Sequence, residues 1–323
     1  MRNIAIVAGG YSSEYEVSLK SADNILAAID RSKYNCYLLL ITKDKWEVKH
    51  EDKYFPVDRN DFSCCIDGEK VLFDFAYITI HGTPGENGLL QGYLAMLNIP
   101  HSTCSSLSAS LTFDKYMCNR YLEKHGINVP KALLLRNRNE YSAEDINKEI
   151  PCTCFVKPNS DGSSFGISKV TKYEDLQVAL DKAFNFSNEI VVEKAVNGLE
   201  FTCGALKIGD KIKSFPITEI IPKNDFFDFE AKYDPDFAEE ITPARIPDEL
   251  RDKIQEMTSY IYDILKCSGI IRVDYIIEND IVYVLEVNTT PGMTNNSFIP
   301  KQIAAMNGSL KDTISSIIEN AFN

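Results

Sequence analysis

At 323 residues the chain exceeds the size at which one hydrophobic core stops growing, so two or three compact domains are expected. A content of 44% hydrophobic, 25% charged and 11% aromatic residues excludes the disordered and membrane classes. The formal net charge of -13 argues against a nucleic-acid partner, because neutralising phosphates needs an excess of Lys and Arg over one surface.

Residues 1–10 carry one basic residue and a short apolar run, too brief for a signal peptide or a membrane span, which predicts a cytoplasmic protein with no membrane partner. The run Ile4-Ala5-Ile6-Val7 followed by Gly9-Gly10 predicts a buried strand and a tight turn, with Ser12 or Ser13 capping a helix through Ile29. Apolar runs at 36–41 and 76–80 extend a parallel sheet, and the polar stretch between them predicts an insertion or hairpin. Residues 114–125 are helical in character and end at Gly126, and strand signals follow at 130–135, 152–156 and 190–193. The nine cysteines include no C-x-x-C pair, which predicts reduced, buried thiols. The fold class is α/β: an N-terminal parallel-sheet domain over residues 1–103, a smaller α+β domain over 104–193 and a C-terminal α+β domain over 194–323.

Three stretches carry chemistry. The first is the loop 157–166, where Lys157 precedes a run rich in Gly and Ser. Glycines let the backbone approach a phosphate, amides and hydroxyls donate to its oxygens, and the lysine adds charge; a plain turn accounts for the same residues. The second is Arg272-Val273-Asp274 and Glu286-Val287-Asn288, on two strand-like runs joined at Asn279-Asp280. If Asp274 faces Glu286, Arg272 faces Asn288, and three oxygen-bearing side chains suited to magnesium gather beside an arginine. A solvated edge hairpin is the alternative. The register decides between them. A two-residue turn pairs Glu278 with Ile281 and sends Glu286 to the far face, so the connection needs three or five residues, or a β-bulge must restore the phase. The turn 289–294 that follows aims backbone amides at the same place. The third is the glycine turn 193–200, whose acids suit ribose hydroxyls or simply face water.

Gly9-Gly10 lacks the G-x-G-x-x-G of a dinucleotide fold, which disfavours a nicotinamide enzyme. Glu16-Val17-Ser18 and the loop 81–88 instead stand at the carboxyl ends of strands, where open α/β sheets bind ligands. His81 reads equally well as a satisfied loop histidine.

Taken in order, these segments, with Asp114-Lys115 and Glu230-Ala231-Lys232-Tyr233, resemble the ATP-grasp superfamily and, within it, the D-alanine--D-alanine ligase family, across nearly the whole chain. The resemblance implies an ATP-grasp fold whose two α+β domains sandwich ATP, and an enzyme that joins two D-alanines for peptidoglycan precursor synthesis. Lys115, Lys157, Ser164 and Lys232 would bind ATP phosphates, with Glu193, Lys194, Val196 and Glu200 at adenine and ribose. Asp274, Glu286 and Asn288 would hold two Mg²⁺ ions, for which Mn²⁺ would substitute. Glu16, Ser163 and Tyr233 would form a hydrogen-bonded group near the substrate amines, and Arg272 and the Gly292 amide would stabilise the oxyanion. His81 would lie near the first D-alanine, Ser297 and Phe298 near the second, and the protein would be a homodimer. Residues 226–238 would be a mobile loop carrying Lys232 and Tyr233. Asn87 and Phe298 depart from the acid and leucine usual in the family, which bears on the shape of the amino-acid pocket. The rivals are another ATP-grasp ligase, including the D-alanine--D-lactate type that Tyr233 opposes, and a non-catalytic nucleotide-binding module, which has no need of the metal cluster.

Overall fold

The structure, a computed structural model, describes residues 1–138, 140–160, 166–222 and 238–322. Ser163, Ser164, Lys232 and Tyr233 therefore lie outside the described residues, as does nearly all of the loop expected at 226–238. Strand β1 (Arg2–Gly9) reads as an unbroken apolar run because both of its faces are covered, and Ile4 to Ala8 are all fully buried. It pairs in parallel with β2 (Tyr34–Ile41) and with β7 (Phe75–Ile78). The polar stretch between those two strands forms an antiparallel meander, β3 (Trp46–His50), β4 (Lys53–Asp58), β5 (Ser63–Ile66) and β6 (Glu69–Leu72). The sheet runs β6-β5-β4-β3-β2-β1-β7.

Helix α1 (Tyr15–Ala28) sets Ala22 and Ile25 against Ile4, Ile6 and Ala8, while α2 (Leu89–Met96) sets Leu90 and Leu94 against Ala5 and Val7. The serine cap expected for α1 is absent. Its N-cap is Glu14, whose side chain makes no capping bond; the Ser12 hydroxyl, two residues earlier, donates to the His81 carbonyl at 2.8 Å, brought in by the loop after β7, and accepts from the Glu14 amide at 3.3 Å. Helices α3 (Ser106–Phe113) and α4 (Lys115–Lys124) meet at Asp114, whose carboxylate caps α4 by accepting from the Met117 amide at 2.9 Å.

A second sheet, β8 (Ala132–Leu135), β9 (Cys154–Pro158), β10 (Ser168–Val170) and β11 (Ile190–Lys194), is antiparallel in the order β10-β9-β11-β8. Helices α5 (Ala143–Glu149) and α6 (Leu176–Ala183) cover it with Ile146, Leu176 and Leu180. β8 and β9 each begin two residues later than the sequence signals.

The third sheet, also antiparallel, follows the order β15-β14-β12-β16-β17 with β13 beside β12: β12 (Leu199–Ile208), β13 (Lys211–Ser214), β14 (Thr218–Pro222), β15 (Ala238–Ile241), β16 (Ile270–Glu278) and β17 (Ile281–Asn288). Helix α7 (Asp248–Ile264) packs Ile254 and Ile261 into its core. Helices α8 (Phe298–Ala305) and α9 (Leu310–Asn320) return to the first sheet, where Ile303, Ile314 and Ile318 share one core with Ile4 and Ile6. Polar bonds close the same junction, with Arg2 on Glu319 at 2.9 Å and the Tyr34 hydroxyl donating to Glu319 at 2.6 Å.

The C-terminal hairpin has the two-residue turn that by itself would separate the acids. Asn279 and Asp280 both take positive φ, 51° and 64°, and Glu278 pairs with Ile281. The phase is then restored by a register shift. Tyr275 pairs with Val284 and Asp274 with Glu286, so Leu285 is the extra residue of a β-bulge and Arg272 pairs with Asn288. The glycine turn between β11 and β12 lies hard against this hairpin. A Cβ on Gly198 would overlap the Ile277 carbonyl, and the neighbouring Asn197 amide donates to Glu278 at 2.8 Å. Gly198→Ala should therefore lower stability by about 1–3 kcal/mol, because only backbone movement relieves the overlap. Urea unfolding measures this, and an unchanged midpoint would contradict the close approach.

Candidate active site

The second and third sheets, with helix α1 and the loop after β7 from the N-terminal unit, surround one cleft of about 1040 Å³, and each predicted site residue among the described ones lines it. Glu16 enters from the first turn of α1 and His81 from the loop after β7. Lys115 comes from the start of α4, Lys157 from β9, Glu193 and Lys194 from β11, Val196 from the turn beyond, and Glu200 from β12. Arg272, Asp274, Glu286 and Asn288 come from the hairpin, and Gly292, Ser297 and Phe298 from the loop and helix after it.

Asp274 is held by bonds from three side chains. Arg272 donates through Nε to its Oδ1 at 2.8 Å and through Nη2 to its Oδ2 at 2.7 Å, a two-pronged pair that holds the carboxylate plane. Asn288 Nδ2 reaches Oδ2 at 3.1 Å, and the Thr202 hydroxyl donates to Oδ1 at 2.6 Å. The Arg272 guanidinium also stands 5.5 Å from the centre of the Phe298 ring. Among the described residues no cluster of three His, Cys, Asp or Glu forms, so the oxygen donors here are two carboxylates and one amide.

On the wall that the second sheet supplies, Lys157 Nζ pairs with Glu193 Oε1 at 2.9 Å, with both side chains nearly buried. Glu193 Oε2 is buried with no partner among the described residues, an acceptor left over for a ligand donor such as a hydroxyl or amino group. Asn159, fully buried, ties this wall to α4. Its side chain accepts from the Tyr116 amide at 2.9 Å and its carbonyl from the Lys115 amide at 3.2 Å, which fixes where the Lys115 side chain leaves the helix.

The loop 289–297 is anchored on α1 through the Asn24 amide to the Met293 carbonyl at 2.7 Å and the Met293 amide to the Ser21 hydroxyl at 3.2 Å. The Ser297 hydroxyl contacts the Thr294 amide and hydroxyl at 3.1 and 2.8 Å, and a Cβ at Gly292 would crowd it. His81 is buried, with Nε2 unpartnered among the described residues, and burial pushes its imidazole below the ordinary value.

Sequence reasoning missed Glu86, Glu14 and Thr202. Glu86 accepts from the Gly82 amide at 2.7 Å. Burial, reinforced by the negative charge of Glu14, pushes its carboxyl up to about 8. Glu86 falls inside the loop already singled out, but its environment depends on contacts that only folding creates. Thr202 would have been found only from the pairing of β12 with β16, which sets it opposite Asp274.

Two antiparallel α+β units meeting over a cleft of this volume, beside a parallel-sheet unit that closes its end, define an ATP-grasp protein. Family models of the D-ala D-ala ligase N-terminus and C-terminus match residues 3–104 and 121–319. The D-alanine--D-alanine ligase of Bacteroides fragilis is 53% identical over 323 residues, with 99% of each chain covered. Among solved structures, the VanG D-Ala:D-Ser ligase from Enterococcus faecalis is similar with a TM-score of 0.88 and 31% identity, covering 99% of both chains. A D-alanine--D-alanine ligase from Bacillus anthracis complexed with ATP is similar with a TM-score of 0.78 and 28% identity, covering 100% of this chain and 97% of that one. The chain belongs to the D-alanine--D-alanine ligase family, whose members form a peptide bond in an ATP-dependent reaction.

Glu86 gives the site a pH signature. Its folded carboxyl titrates at about 8 against an ordinary 4.5, so between those values the unfolded chain releases a proton that the folded chain keeps. Rising pH therefore favours unfolding through this group, and the stability it costs accumulates up to about pH 8. Glu86→Gln keeps an oxygen for the Gly82 amide and removes the titration. Its stability relative to the parent should rise by roughly 1–3 kcal/mol from pH 5 to pH 8 in urea unfolding. A difference that stays constant with pH would contradict the assignment.

Proposed function

We propose that this chain joins two molecules of D-alanine, using ATP to activate the carboxylate of the first as an acyl phosphate that the amine of the second attacks. The product would serve peptidoglycan precursor synthesis. A carboxylate is a poor electrophile because its oxygen is a poor leaving group; transfer of the γ-phosphoryl group makes that oxygen leave as phosphate. In this reading Lys115 and Lys157, with Ser164 and Lys232, bind the ATP phosphates, and Glu193, Lys194, Val196 and Glu200 the adenine and ribose. The leftover acceptor on Glu193 supports that nucleotide end.

Asp274, Glu286 and Asn288 are the residues that would hold magnesium, and their all-oxygen donor set fits that ion. Magnesium neutralises charge on the phosphates. Arg272 and the Gly292 amide would steady the oxyanion of the tetrahedral adduct, a donor there being worth about 3–4 kcal/mol. His81 would lie by the first D-alanine, Ser297 and Phe298 by the second, and Glu16, Ser163 and Tyr233 by the amines. The observation that carries the reading is the joining of Arg272, Asp274, Glu286 and Asn288 on one hairpin that lines the same cleft as the Lys157–Glu193 pair.

We further propose a three-domain division at 1–103, 104–193 and 194–323, supported by one sheet in each span apart from Lys194, the last residue of β11, and a cytoplasmic homodimer. No helix among the described residues is long and apolar enough to cross a membrane.

Phosphate release from ATP with Mg²⁺ should be stimulated by D-alanine across a panel of D- and L-amino acids and D-lactate. Equal stimulation by D-serine or D-lactate would overturn the choice of second substrate. Glu286→Gln should lower phosphate release at least 100-fold without loss of fold, since it removes one of the two acids of the cation site. Near-parental turnover at saturating Mg²⁺ would remove Glu286 from that site.

A further inference from the structure

We infer that Thr202, on β12, is a positioning residue that sets which oxygen of Asp274 is turned toward Glu286 and Asn288. The inference rests on the divalent-cation site proposed above. Asp274 lies on β16, the strand between β12 and β17, so its carboxylate has Thr202 on one side and Glu286 with Asn288 on the other. Its two oxygens are used differently. Oδ1 takes Arg272 Nε at 2.8 Å and the Thr202 hydroxyl at 2.6 Å, whereas Oδ2 takes Arg272 Nη2 at 2.7 Å and Asn288 Nδ2 at 3.1 Å.

Thr202 is fully buried, and its single hydroxyl proton has two acceptors in reach, the Val273 carbonyl at 3.3 Å and Asp274 Oδ1 at 2.6 Å. The shorter, charge-assisted bond wins. The hydroxyl cannot readily turn elsewhere, because a β-branched side chain in a strand has restricted χ1. The strand itself is held from behind: Gln302, fully buried on α8, donates to the Thr202 carbonyl at 3.0 Å and accepts from the Gly204 amide at 3.0 Å. Thr202 ties Oδ1 to the scaffold and leaves Oδ2 on the side of β17, where the other oxygen donors stand.

Thr202→Val keeps the shape and removes the donor; Thr202→Ser keeps the donor. Mn²⁺ binding followed by electron paramagnetic resonance should be about tenfold weaker in the valine variant and within twofold of the parent in the serine variant. The Mg²⁺ activation constant for phosphate release should shift in parallel, with the KM for D-alanine unchanged. Thr202→Ala serves in place of valine if that variant does not fold. Parental Mn²⁺ affinity in the valine variant, or equal losses in valine and serine, would overturn the role of the hydroxyl. Glu286→Gln separates the two readings. If it weakens Mn²⁺ binding and Thr202→Val does not, Thr202 alone is misassigned; if neither does, the cation site itself is wrong.

Discussion

The site depends on a register. Side chains alternate across a strand, so a one-residue slip moves every group on it to the other face. The tight turn at Asn279-Asp280 starts the hairpin in the phase that parts Asp274 from Glu286, and the bulge at Leu285 returns it to the phase that brings them together. The bulge is held in place by neighbours rather than by the hairpin alone. Just before it, the Val284 amide donates to the Asn128 carbonyl at 2.9 Å, and at the bulge the Leu285 carbonyl accepts from Asn119 at 3.4 Å. Both partners belong to α4 or the segment just after it, so the helix that starts with Lys115 also pins the strand that carries Glu286.

A second constraint keeps the walls of the cleft in relation. The first and last elements of the chain share one apolar core, with Ile4 and Ile6 of β1 against Ile314 and Ile318 of α9. The loop 289–297 is bonded to α1 at Ser21 and Asn24, one face of the helix whose first turn holds Glu16. A group at Gly292 or Ser297 is thus positioned against a group at Glu16 by a few short bonds, although the two are far apart in sequence. The acids Glu14 and Glu86 line the cleft from the N-terminal unit, Glu14 buried and Glu86 half-buried, and desolvation there is what raises the Glu86 carboxyl.

Much of this was legible from residue order. The run Ile4 to Val7 announced a strand buried on both faces, and the parity of the hairpin demanded either an odd loop or a bulge, of which the structure has the bulge. Several motif residues stand at a helix start or a turn, where local signals are strong, while Arg272, Asp274 and Glu286 lie within strands and are read from the period of two. Long-range contacts were not legible. Ser12 looks like a helix cap, yet its hydroxyl is claimed by the His81 carbonyl, which folding brings from far along the chain. Thr202 is one of several alternating residues on a strand until β12 is known to pair with β16. Glu86 carries no mark in the sequence that distinguishes it from a solvated loop acid, because its altered titration is a property of desolvation.

Activation as an acyl phosphate requires that the oxygen lost from the first D-alanine leave on phosphate. D-alanine labelled with ¹⁸O in its carboxylate, turned over with unlabelled ATP, tests this by mass analysis of the phosphate released. One ¹⁸O per phosphate is the predicted result, since the carboxylate oxygen attacks the γ-phosphorus and departs with it when the amine adds to the carbonyl carbon. Phosphate free of label would contradict an acyl phosphate and with it the function assigned to the cleft.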